Sequence, residues 1–176
     1  MSNTYPFETD RLWLRPTDER DAAFIIRLVN SPKWIRFIGP RNVHTEEEAV
    51  AYIDRMMMSQ QRRLGFSNYT LIRKVDEVKL GFCGLYDREG LEGFDLGYAL
   101  LEEFEGNGYA FEAAYKVRDM AFDEFGIKEL QAITDPENKA SQIILERLGF
   151  QFQHKVTLPN EKKELYYYQL EKMDRI

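Results

Sequence analysis

The stretch that most constrains the fold is a β-like run at residues 94–101 leading through a glycine loop, Glu105-Gly106-Asn107-Gly108-Tyr109-Ala110, into a helical pattern. That pattern carries Ala110, Ala114, Val117, Ala121 and Phe125 at spacings of four, three, four and four, which predicts a single buried face. A second β-like run follows at residues 130–134. Strand, helix and strand in this order predict a crossover, with the two strands parallel and adjacent. The chain therefore reads as α/β. The two glycines permit a tight turn and a close ligand approach to the backbone. The first-turn amides of the helix point outward, and its dipole favours negative charge there. This is a physical recipe for a pyrophosphate site, although a Gly-x-Gly turn alone is equally compatible with a plain loop. No Gly-Lys-Ser or Gly-Lys-Thr follows, so it is not a Walker loop. Phe111 stands where a dinucleotide fingerprint has its third glycine.

The remaining pattern surrounds this unit. A short strand at residues 12–14 stops at Pro16. A helix follows Asp18 with Ala22, Ile25, Ile26 and Val29 on one face, and ends before Pro32. Residues 33–43, with Trp34, Phe37, Gly39 and Pro40, read as an irregular loop. Thr45 and Glu48 form a capping box for a second helix, whose apolar stripe is Ala49, Tyr52, Ile53 and Met56. The methionines at 56–58 read as gap-filling core. Runs at 69–72 and 78–86 flank a turn at Val75-Asp76-Glu77. With Gly90 and Gly93 bracketing a second turn into the run at 94–101, they predict an antiparallel meander. After Asp135-Pro136 a helix runs to Leu148 and stops at Gly149, and runs at 150–156 and 165–170 close the chain. The expected order is β-α-α-β-β-β-α-β-α-β-β in one domain over residues 1–176.

Composition narrows the function classes. Hydrophobic residues at 44% and charged residues at 31% argue for a folded domain rather than disorder. The apolar runs are too short to span a bilayer, and the first residues lack an apolar signal region, so a cytoplasmic location and no membrane partner are expected. A net charge of −6 without a Lys/Arg run argues against a nucleic-acid partner. His44 and His154 stand far apart without further ligands at metal spacing, so no metal is expected. Cys83, in an apolar run with no histidine placed to activate it, reads as buried and structural rather than as an acylated nucleophile.

Five segments in sequence carry a resemblance. They are Thr9-Asp10-Arg11-Leu12-Trp13-Leu14-Arg15, Leu80-Gly81-Phe82-Cys83-Gly84, Leu96-Gly97-Tyr98-Ala99-Leu100, Glu105 to Ala110 with Glu112-Ala113, and Asn138-x-x-Ser141 followed by Glu146-Arg147-Leu148-Gly149-Phe150. Together they resemble the GNAT superfamily of acetyltransferases, most of all its RimJ/RimL-like branch. The likeness implies a mixed central sheet of about seven strands, with an antiparallel meander, splayed fourth and fifth strands and flanking helices. It implies that the backbone of Tyr98, Ala99 and Leu100 holds the pantetheine arm of acetyl-CoA like an added strand. The amides of Gly106, Asn107, Gly108, Tyr109, Ala110 and Phe111 would take the pyrophosphate, and Asn138 and Ser141 would line the opposite side of the channel. Positions three apart do share a helix face; on the residues alone, Asn138 also reads as a helix N-cap. Two positions depart from the family. Glu105 replaces a Gln or Arg, and Leu145 stands where many members have a tyrosine acid.

Transfer to an amine requires removing a proton from an ammonium, polarising the thioester carbonyl and stabilising the thiolate. Asp95 is the first candidate base, with Asp87 and Glu102 as alternatives, and Ser141 is the candidate acid. Tyr86, Tyr98 and Trp34 are candidate walls of the acceptor pocket. The resemblance thus implies acetyl transfer from acetyl-CoA, by direct attack, to a primary amine of a protein N-terminus or small molecule. A homodimer is compatible with it. The alternatives are a non-catalytic CoA-binding module for sensing or interaction and a nucleotide-dependent oxidoreductase.

Overall fold

In the computed structural model, residues 5–173 are described. They form one mixed sheet of eight strands flanked by helices on both faces. The strands are β1 (Phe7–Glu8), β2 (Leu12–Pro16), β3 (Asn68–Arg73), β4 (Lys79–Asp87), β5 (Phe94–Leu100), β6 (Glu129–Thr134), β7 (Gln151–Thr157) and β8 (Glu164–Glu171), in the spatial order β1-β2-β3-β4-β5-β6-β8-β7. The first five pair antiparallel, as the meander pattern predicts. The strand beyond the expected seven is β1, whose two residues are too few to show a period of two.

The crossover is present, but its two strands pair only at their bases. β5 and β6 are parallel at Phe94↔Leu130 and Asp95↔Gln131, and then part. On that side, the β5 backbone after Asp95 has no strand partner among the described residues, so free peptide groups face the gap.

Alternation along the strands supplies two cores. On β4, Cys83 and Leu85 face α5 (Tyr109–Asp123) and pack with Ala113, Ala114, Val117 and Ala121. Phe82 faces the other way, toward α1 (Ala22–Val29), α2 (Pro32–Phe37) and α3 (Glu46–Ile53). The α5 stripe falls slightly off the expected face. Met120 is buried, whereas Ala110 is only half-buried.

Two expectations about this helical layer are corrected. Residues 32–37 form α2 rather than a loop. Pro32 sits at its first position, where the missing N–H costs nothing, and Trp34 is buried with its ring edge-on to Phe82 at 5.5 Å. The capping box at Thr45 and Glu48 forms as expected, but the stripe of α3 does not continue through Met56. A π-helical turn at Asp54–Met58, ending on the Ser59 N–H bond to the Asp54 carbonyl, inserts an extra residue before α4 (Ser59–Leu64). The phase slips, so Met57 is 4% exposed and Met56 is 50% exposed. Among the described residues no helix is long and apolar enough to cross a membrane.

Candidate active site

Two cavities open where β5 and β6 part. The larger, about 610 Å³, runs along β5 at Tyr98, Ala99 and Leu100 and past the glycine loop to the start of α6 (Lys139–Arg147). The smaller, about 250 Å³, lies on the α1–α4 side of the sheet.

The larger cavity is built chiefly from main chain. Gly106 (φ +76°) and Gly108 (φ +81°) both adopt the left-handed conformation that side chains resist. A Cβ on Gly106 would meet nothing within 4 Å, so the loop presents open space there. Gly108 is the N-cap of α5 and makes no side-chain cap, which leaves the first-turn amides for a ligand. Asn107 faces away from the cavity. Its side-chain amide donates to the Phe104 and Glu105 carbonyls and folds the loop. The other loop residues named from sequence, Gly106, Gly108, Tyr109, Ala110 and Phe111, all line the cavity.

The loop is buttressed by the start of the chain. Arg11 donates to the Asn107 carbonyl at 3.0 Å and to Glu112 Oε2 at 2.7 Å, and its guanidinium lies 4.2 Å from the centre of the Tyr109 ring. Thr9 Oγ1 donates to Glu112 Oε1 at 2.6 Å. Burial opposes charge on Glu112, but the hydrogen bonds from Thr9 and Arg11 hold its carboxyl below the ordinary range. The opening Thr-x-Arg segment and the Glu after the loop are therefore one clamp, which also neutralises an anion close to a site for anions. Glu105 borders the same cavity, but it is ion-paired to Lys33 of α2 across the mouth. Arg36, Lys139 and Arg147 add positive charge around the rim, and Arg147 lies 4.0 Å from the centre of the Phe111 ring. These four cations carry no pattern in the sequence.

The smaller cavity is built from side chains. Tyr86 and Asp95, directly opposite each other on β4 and β5, line it with Trp34, Phe37, Tyr52 and Met56. Asp95 is 1% exposed and receives both arms of Arg88, at 3.0 and 3.1 Å. Burial raises its pKa above the ordinary aspartate value, and the Arg88 pairing offsets this only partly. Asp135 and Lys163 form a second ion pair on the wall, and Glu161 adds a further carboxylate. Of the alternative bases, Asp87 is also on the wall but pairs with Arg63, and Glu102 is exposed and lines neither cavity. Cys83 is fully buried on the opposite face of β4, where burial pushes its thiol pKa up.

Tyr98, Ser141, Asn138 and Trp34 line both cavities. The Tyr98 hydroxyl bridges the gap between β5 and α6, lying 3.0 Å from Ser141 Oγ and donating to the Ser141 carbonyl at 3.1 Å. Burial raises the Tyr98 pKa, so the phenol keeps its proton at neutral pH. Asn138 caps α6, its Oδ1 accepting from the Ser141 amide at 3.2 Å. The N-cap reading therefore holds, and the same residue borders both cavities. Leu145 is buried beneath this point. The sequence marked Tyr98 through its backbone and as a pocket wall; its hydroxyl contact with Ser141 is a product of the tertiary fold.

A family model described as an acetyltransferase (GNAT) domain matches residues 11–151. The chain is 29% identical over 146 residues to YoaA, an uncharacterized N-acetyltransferase of Bacillus subtilis, covering 82% of this chain and 81% of that protein. Its fold matches the crystal structure of an acetyltransferase from Agrobacterium tumefaciens with a TM-score of 0.80 at 23% identity, covering 98% of both chains. It also matches a ribosomal-protein-S5-alanine acetyltransferase from Vibrio fischeri with a TM-score of 0.78 at 17% identity, covering 94% of this chain and 95% of that one.

Proposed function

The chain belongs to the GNAT acetyltransferase family, and on that premise we propose that it moves the acetyl group of acetyl-CoA to a primary amine by direct attack, in the manner of the RimJ/RimL-like branch. The observation that carries this reading is the junction at Tyr98 and Ser141. A phosphate-suited cavity and a separate side-chain-lined cavity meet there, at the gap between β5 and β6.

The pantetheine arm lies along the unpaired backbone of Tyr98, Ala99 and Leu100, and the pyrophosphate sits on the amides from Gly106 to Phe111. The Lys33 pairing offsets the Glu105 charge, so Glu105 does not bar the anion. The amine enters from the smaller cavity. Asp95, made more basic by burial, takes its proton directly or through water. The nitrogen forms a bond to the thioester carbon, and the C–S bond breaks. The Tyr98 hydroxyl, with Ser141 beside it, supplies a proton or a hydrogen bond to the departing thiolate. This gives the missing tyrosine at Leu145 a substitute on the opposite side of the gap.

The acceptor is a small-molecule amine or a protein N-terminus. A panel of peptides, polyamines and amino acids, assayed for thiol release from acetyl-CoA, tests the reading. Release that depends on a particular amine is expected. Acetyl-CoA binding with no amine turned over would instead support the non-catalytic sensor.

A further inference from the structure

A line of buried polar side chains crosses the sheet under the helical layer and ends in the smaller cavity. It begins at Asp21, fully buried, with Arg15 Nη2 at 2.7 Å and Lys79 Nζ at 2.6 Å. Burial works against charge here, but the hydrogen bonds from Arg15 and Lys79 outweigh it and hold the carboxyl below the ordinary aspartate range. An ionised carboxylate can only accept, so Thr70 Oγ1 donates to Asp21 Oδ2 at 2.9 Å. That uses the one hydroxyl proton of Thr70. In the 2.8 Å contact between the two threonine hydroxyls, Thr17 is therefore the donor. Thr17 then has no proton left for Asn68, so their 2.8 Å contact is donated by the amide nitrogen of Asn68. This fixes the orientation of the amide. Its oxygen faces Tyr86 and accepts from the phenol. One charged residue thus sets the direction of every proton up to the cavity wall. Thr17, Thr70 and Asn68 are each at most 4% exposed, so water does not compete for these bonds.

The last member is seated with equal care. Gly84 and Gly97 are cross-strand partners on β4 and β5. A Cβ on Gly84 would lie 3.0 Å from the Tyr86 hydroxyl, and one on Gly97 would lie 2.9 Å from its ring. The ring occupies space that only glycines leave free. Among the described residues no second hydrogen bond reaches the Tyr86 oxygen, so its unused lone pair is the polar feature that the ring brings to the cavity.

We infer that Tyr86 Oη is an obligate hydrogen-bond acceptor for an N–H of the amine substrate, and that Asp21, Thr70, Thr17 and Asn68 are positioning residues that keep its own proton turned away. The inference rests on the acetyltransferase reading and deepens it. A primary amine has one N–H for Tyr86 and a second for the base while its lone pair faces the thioester. An alcohol has a single proton and cannot satisfy both, so the device selects primary amines over hydroxyl acceptors.

The test uses acetyl-CoA and the best amine found in the panel. Thr70→Val removes the relay hydroxyl at nearly constant shape, far from substrate. It should raise the KM for the amine roughly five- to tenfold while kcat and the KM for acetyl-CoA stay within about twofold. Thr70→Ser should restore wild-type values. Tyr86→Phe should raise the amine KM at least as much, and Thr70→Val should then add nothing further. Equal behaviour of the Val and Ser variants, or losses that multiply in the double variant, would overturn the proposal. The proton arrangement is read separately by NMR of protein with ring-labelled tyrosine. A slowly exchanging Tyr86 hydroxyl proton should be present in wild type and Thr70→Ser and absent in Thr70→Val; its absence in wild type refutes the relay. If no amine is acetylated, the enzymatic reading fails and takes the role of Tyr86 as amine acceptor with it, while the NMR result still decides the relay.

Discussion

The two cavities differ in what they are made of. The larger offers peptide groups: the unpaired edge of β5 and the first-turn amides of α5, released by two left-handed glycines. The smaller offers side chains from distant parts of the sequence: Trp34, Tyr52, Tyr86, Asp95 and Asp135. A site made of main chain can serve one invariant ligand on almost any side-chain background. A site made of side chains can be rebuilt for each acceptor. The difference explains why one half of the function follows from family membership and the other half is particular to this chain.

Substitutions can break this contrast, and the largest effect is expected at Asp95. Asp95→Asn should lower kcat about 10²–10⁴-fold, the range of a lost general base, with acetyl-CoA affinity unchanged. In wild type the rate should rise with pH through the raised pKa of Asp95, and that limb should vanish in the variant. A variant with the wild-type pH profile would remove Asp95 from the mechanism.

Stability sharpens the comparison at the other buried aspartate. Asp21→Asn leaves Arg15 and Lys79 without their shared anion and should cost about 3–5 kcal/mol in urea unfolding. The two aspartates should show opposite pH signatures. The folded-state pKa of Asp21 is lowered, so its stabilisation is complete above the unfolded value of about 3.9 and fades as pH falls through the folded value. The folded-state pKa of Asp95 is raised, so its contribution is complete below about 3.9 and is lost as pH rises through the folded value. Unfolding curves of the two variants against wild type between acid and neutral pH would show whether the slopes oppose.

Smaller effects test the main-chain site and the seam. Gly108→Ala places a Cβ at φ +81° and 3.4 Å from Arg11 Nη2. Left-handed strain of about 1–2 kcal/mol should appear in thermal unfolding, together with roughly tenfold weaker acetyl-CoA binding by calorimetry. Tyr98→Phe, where the cavities meet, should lower kcat severalfold to about tenfold and leave both KM values near wild type. Glu105→Gln should change the KM for acetyl-CoA by no more than about twofold, because the exposed pair with Lys33 contributes little. A large gain in affinity would show that Glu105 opposes the pyrophosphate after all.

Much of the fold was legible because its signals are local and repeated. The meander, the crossover, the capping box at Thr45 and the stop at Gly149 each rest on residues a few positions apart, and each formed. Where the reading erred, tertiary packing overrode local pattern. Trp34 found a partner in Phe82 and drew a supposed loop into α2. The π turn moved the buried methionine by one position, a slip that no periodic count detects in advance. β1 forms because β2 offers it an edge.

The sequence by itself determined the class of fold, the phosphate-suited loop and the family likeness, because glycine placement and apolar period act over short distances along the chain. Only the tertiary structure decided that Arg11 and Thr9 brace that loop, that Tyr98 reaches Ser141 across the gap, that Arg88 clamps Asp95, and that Asp21 orients Tyr86 through three intermediate side chains. The physical reason is that hydrogen bonds and ion pairs depend on distances of about 3 Å between atoms, and for residues on separate strands and helices those distances exist only once the sheet has brought them together.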